Sequence, residues 1–111
     1  MKKKNIPEEI YQRMNIFDLI LVSLHSLNAF EKKVEFEQIL EKCFKSFPER
    51  FGFLKYPEWP DARKLDRPLR SLRRKRLISG NPKEKYSLTK SGQKQAQEVM
   101  NLLRQKKLKL K

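Results

Sequence analysis

Four arginines carry the clearest chemistry in this 111-residue chain: Arg63, Arg67, Arg70 and Arg74. At about 100° per residue on a helix they fall within about 60° of one another. Ala62, Leu65, Leu69 and Leu72 share the opposite face. A guanidinium is a planar fork that can bond a phosphate or a guanine edge at two points at once. Arg73, Lys75 and Arg76 flank the row, and between Ala62 and Arg76 eight cations meet one anion, Asp66. Solvated helix faces usually mix signs, so this ridge is expected to meet nucleic acid.

The remaining candidates are fewer. Lys83 and Lys85 sit in a polar turn and suit phosphate contacts, which position a protein without specifying sequence. Tyr56 and Trp59 lie in an aromatic, proline-rich stretch. They are expected chiefly to cover a core, with base stacking or a protein partner as the alternatives. Cys43 falls on an apolar stripe and reads as a small buried hydrophobe. His25 stands alone, and no His, Cys or carboxylate cluster has metal-ligand spacing. No carboxylate pair is spaced for acid–base work. Three isolated glycines cannot build a phosphate-cradling loop. No enzyme activity, cofactor or metal is expected.

The charge balance agrees with the ridge. Lys and Arg number 27 against 13 Asp and Glu, a net +14. Residues 1–58 hold 10 basic and 9 acidic side chains, whereas residues 59–111 hold 17 and 4. Segregation of that kind points to a polyanionic partner, nucleic acid before membrane. One Cys excludes a disulfide framework. The longest apolar stretch, Ile16 to Leu24, contains Asp18 and Ser23 and is too short to span a membrane. Lys2–Lys4 resembles the start of a signal peptide, but Glu8, Glu9, Arg13 and Asp18 interrupt the apolar run that should follow. An intracellular, cytoplasmic protein is expected.

These side chains need elements to hold them. Pro7 with Glu8 and Glu9 is a good helix start. Ile10, Met14, Phe17, Leu21 and Leu24 then predict one helix, apolar almost all round, and so central in the core or buried in a dimer. Residues 28–33 read as a break. Phe36, Ile39, Leu40, Cys43, Phe44 and Phe47 predict a second helix ended by Pro48. Residues 48–61 hold three prolines and a glycine and are expected to be an ordered aromatic loop without regular structure. The basic third helix either starts at Asp61 and kinks at Pro68, or is a shorter helix capped by Asp66 with Pro68 in its first turn. Residues 77–79 and 86–88 predict a two-stranded hairpin, with Asn81 to Lys85 at its tip. Thr89 reads as the N-cap of a last helix striped by Ala96, Val99, Met100 and Leu103. Arg104 to Lys111 carry five cations and no anion and are expected to fray from the helix end unless a partner orders them.

The basic helix, the strand Leu77-Ile78-Ser79-Gly80 and the return Tyr86-Ser87-Leu88-Thr89-Lys90-Ser91-Gly92 together resemble the winged helix-turn-helix family, in its small MarR and PadR-type members. The resemblance covers residues 34–103. It implies a mainly α fold with a small β-hairpin wing, in the order α-α-(aromatic loop)-α-β-β-α. It makes residues 62–76 the helix that enters the major groove and residues 81–85 the wing tip. The stretch 48–61 departs from the three or four residues that usually join such helices.

The expected organisation is a winged-helix domain over 6–103, a basic segment 1–5 and a basic tail 104–111. The expected function is binding of double-stranded DNA by a transcriptional regulator through Arg63, Arg67, Arg70, Arg73, Arg74, Arg76, Lys83 and Lys85. A homodimer through the first and last helices would match two half-sites. The alternatives are a protein-interaction adaptor using residues 48–61, with Tyr56 and Trp59 as contacts, or an RNA-binding module.

Overall fold

A computed structural model of the protein describes residues 6–109. The first apolar stripe does not form one helix. It divides into α1 (Glu8–Tyr11) and α2 (Ile16–Asn28). Asn15 is the reason. Its backbone is extended, and its Oδ1 accepts from the Phe17 amide at 2.8 Å, a cap that asparagine makes better than it serves a helix interior. Arg50 holds the break from outside, donating from Nη1 to the carbonyls of Tyr11 and Met14 at 2.9 and 2.8 Å. Beyond it, α2 buries every residue from Leu19 to Leu24.

Helix α3 (Phe36–Ser46) opens with a capping box in which the Glu35 amide donates to Gln38 Oε1. Its stripe packs as expected, with Ile39, Cys43 and Phe47 buried. Burial pushes the Cys43 thiol up to about 12. Pro48 ends α3 but also starts a further turn, α4 (Pro48–Phe51), so residues 48–61 are not free of regular structure. Proline suits a first helical position because its missing N–H has no partner there. The turn drives Phe51 into the core. Gly52 and Pro60 then form an isolated bridge, and the Asp61 amide donates to the Phe51 carbonyl at 2.7 Å.

Helix α5 (Arg63–Arg74) takes the earlier of the two expected starts. Asp61 accepts from the Arg63 amide through Oδ1 (3.1 Å) and from the Lys64 amide through its carbonyl (3.0 Å). Pro68 lies inside the helix, and Asp66 is not a cap. At the far end the Leu77 amide reaches the Leu72 carbonyl and the Arg76 amide the Arg73 carbonyl, both at 3.0 Å. This is a Schellman closure with Arg76 in the left-handed position, φ 62°, where glycine is usual.

Strands β1 (Ile78–Ser79) and β2 (Ser87–Leu88) pair antiparallel, Ile78 opposite Leu88 and Ser79 opposite Ser87. Gly80 turns between them at φ 112°, where a Cβ would stand 2.2 Å from the Lys85 carbonyl oxygen. Tyr86 bridges Val34 instead of extending the hairpin, through backbone bonds of 2.7 and 2.9 Å. Asn28 ties the same region together. Its Oδ1 accepts from the Leu88 amide (3.0 Å), and its Nδ2 donates to the carbonyls of Glu31 and Lys32 (2.8 and 3.0 Å).

Helix α6 (Lys90–Lys109) starts as expected, with Thr89 Oγ1 accepting from the Gly92 amide at 3.1 Å. The same hydroxyl donates to the Arg76 carbonyl at 2.7 Å. Gly92 approaches Leu77 so closely that a Cβ would lie 1.9 Å from its carbonyl oxygen. Helix α6 continues past Arg104 through Lys109. Leu103 is buried, and Lys106, Lys107 and Lys109 complement the helix C-terminus. Segment 1–5 and residues 110–111 of the tail lie outside the described residues.

Six helices and one small antiparallel hairpin thus make up the described chain. Helix α2 is the central element, packing on α3, α5, α6 and β2. Its residues from Leu19 to Leu24 are buried within a single chain.

Candidate nucleic-acid interface

The arginine row stands where its helical phase puts it. Leu65, Leu69 and Leu72 are buried under α5, and Arg63, Arg67, Arg70 and Arg74 are exposed on the other side. Arg73 and Arg76 are exposed as well.

Contacts within the chain divide the row. Arg63 pairs with Asp61 (Nε–Oδ1 3.2 Å) and lies 5.8 Å from the centre of the Phe53 ring. The Arg63 side chain holds the Asp61 carboxyl below its ordinary range, against the opposing pull of burial, and the Arg63 amide adds to it. Arg70 pairs with Asp66 at 2.7 Å, one helical turn earlier. Arg73 Nη1 donates to the Gly80 carbonyl at 3.0 Å and so fastens α5 to the hairpin. Lys64 Nζ donates to the Gly52 carbonyl at 2.7 Å. Lys75 stands over the Phe17 ring at 4.8 Å. Arg67, Arg74 and Arg76 have no side-chain partner among the described residues.

Two grooves flank α5. One, of about 530 Å³, runs between its outer face and the start of α2, past Ile16, Pro68, the cations Arg63, Lys64, Arg67 and Arg70, and the carboxylates Asp61 and Asp66. The other, of about 580 Å³, lies between the hairpin tip and the start of α3. Lys83 and Lys85 line it, but so do Glu35, Glu37, Asp66 and Glu84. The hairpin lysines therefore sit in a locally acidic setting, whereas the groove toward α2 sets four cations against two carboxylates. The tip itself is ordered by Asn81 Oδ1, which accepts from the amides of Lys83 and Glu84 at 2.9 and 2.8 Å.

Tyr56 and Trp59 do not cover the core. They are 55% and 56% exposed and stack on each other, ring centres 5.2 Å apart. Phe51 takes the core-covering role. His25 borders a shallow recess with Asn28 and Gln93. Among the described residues no group of His, Cys, Asp and Glu is placed to hold a metal ion, and no helix is long and apolar enough to cross a membrane.

Sequence reasoning named Asp61 as a helix start but missed its pairing with Arg63, for which an aspartate two places before an arginine is a readable signal. Phe53, Gly80 and the hairpin-facing Glu35 and Glu37 carried none, because chain folding alone brings them near α5. No protein-family model matches the chain, and no curated protein or solved structure is significantly similar to it.

Proposed function

We propose that this protein binds duplex DNA through the outer face of α5, as a small winged-helix regulator. The observation that carries the reading is the row of Arg67, Arg70 and Arg74, exposed along one side of a helix whose other side is buried leucine. Three further features support it. The hairpin follows α5 directly and is fastened to it through Arg73. Arg67, Arg74 and Arg76 are unpaired within the described chain and available to phosphates or base edges. The excess charge of the sequence lies in the half that carries these elements.

A titration of labelled duplex at several salt concentrations tests the reading. With about five phosphates neutralised per protomer, log affinity falls against log salt with a slope of about −4 to −5. A salt-independent affinity, or none, overturns it. Duplex RNA and single strands in the same series distinguish DNA from RNA.

The exposed Tyr56–Trp59 pair favours a second reading, an adaptor that grips a protein partner. Capture of a partner that survives high salt and is lost in Trp59→Ala supports that alternative.

A further inference from the structure

Helix α6 carries a second cationic surface. Over its 20 residues it holds six cations (Lys90, Lys94, Arg104, Lys106, Lys107 and Lys109) against one anion, Glu98. Its inner face packs through Gly92, Ala96, Val99 and Leu103. Lys90, Lys94, Gln97, Asn101 and Arg104 follow one another at steps of four and three along the opposite, exposed side. The cations at the C-terminal end have a structural explanation, since they suit the helix dipole. Lys90 and Lys94 do not. They occupy the first turns, where a carboxylate would stabilise the helix and a cation opposes the dipole, and the first turn holds no acidic residue. The amides of Gln97 and Asn101 between the cations are further donors for phosphate oxygens. At 1.5 Å per residue the helix is about 30 Å long, close to one turn of duplex. Helix α2 packs against both α5 and α6.

We propose that the outer face of α6 is a second phosphate-contacting surface, so that one protomer holds two DNA duplexes, one on α5 and one on α6. This rests on the α5 reading for the first duplex. The second is bound without regard to sequence, because lysines and amides on a straight face meet only the backbone.

The experiment measures the mass of the complex formed with an excess of short duplex, by light scattering at low salt. It compares the full chain, a Lys90→Gln/Lys94→Gln/Arg104→Gln variant and an Arg67→Ala/Arg74→Ala variant. The expected result is two duplexes per protomer for the unaltered chain and one for each variant, with unchanged helical circular dichroism. One duplex per protomer, lost only in the α5 variant, overturns the inference and leaves the α5 reading standing. One duplex lost in either variant overturns it too, since a single continuous surface is then responsible. One duplex lost only in the α6 variant overturns the two-duplex inference and the α5 reading together, leaving a single site on α6. No complex with any of the three proteins overturns both.

Discussion

Helices α5 and α6 are both basic and amphipathic, but they hold their cations differently. On α5, Arg63, Lys64, Arg70 and Arg73 are each tied to an acceptor of the same chain. On α6, the closest such contact among the described residues is Arg104 to Asn101 at 3.5 Å. An anchored guanidinium has already lost much of its rotamer freedom, so less is lost when it meets a ligand, and its fork arrives in a set orientation. A free lysine offers a point charge and no direction. The contrast teaches that equal charge need not mean equal discrimination. On the proposed reading, the anchored arginines of α5 would offer directional contacts and the cations of α6 charge alone.

The largest expected effect tests whether the unanchored members of α5 supply its affinity. Arg67→Ala with Arg74→Ala removes two phosphate contacts. It is expected to lower duplex affinity on the order of thirtyfold at 0.15 M salt and to reduce the salt slope by about 2. An unchanged slope would place the contacts elsewhere.

Removing an anchor should act in the other direction. Asp66→Asn frees Arg70 and deletes one negative charge. Duplex affinity is expected to rise about fivefold, while the ratio between two different duplex sequences moves toward one. Competition binding reads both quantities. If the ratio holds, anchoring has no part in discrimination.

A smaller effect concerns the left-handed Arg76. Glycine there relieves a conformation that costs an ordinary residue about 1 kcal/mol. Arg76→Gly should therefore raise the thermal midpoint by about 4 °C, and weaken duplex binding if the side chain reaches phosphate. Calorimetry and binding on the same sample separate the two.

The smallest effect is on acid stability. The Asp61 carboxyl is held low by Arg63, so its contribution is present above the unfolded value of about 3.9 and is lost as pH falls through the lower folded value. Asp61→Asn should lower the urea midpoint at pH 7 and flatten the fall between pH 4 and pH 2. Equal slopes in both proteins would show the pairing with Arg63 to be immaterial.

Much of the fold was legible because it is local. The α3 stripe, the Thr89 cap and the opposition of leucine and arginine on α5 all depend on residues within a turn or two of one another. The break at Asn15 was missed because Met14 and Phe17 keep helical spacing across it, and periodicity does not register a cap. The Val34–Tyr86 bridge escaped because nothing in either residue announces a partner some fifty positions away. The site divided in the same way. The row on α5 followed from phase, but the neutralisation of Arg63 and Arg70 and the acidic surroundings of Lys83 and Lys85 depend on how segments meet. The exposure of Tyr56 and Trp59 was unreadable because Phe51, in the same stretch, took the core position instead.

The hairpin's attachments have a mechanical consequence. It is moored on one side to α5 by Arg73 and on the other to residues 28–34 by Asn28 and the Val34 backbone. A flap held by its base alone would bend under load and transmit nothing. This one is tied from two sides, so lifting it requires breaking the Arg73–Gly80, Asn28–Leu88 and Val34–Tyr86 hydrogen bonds together.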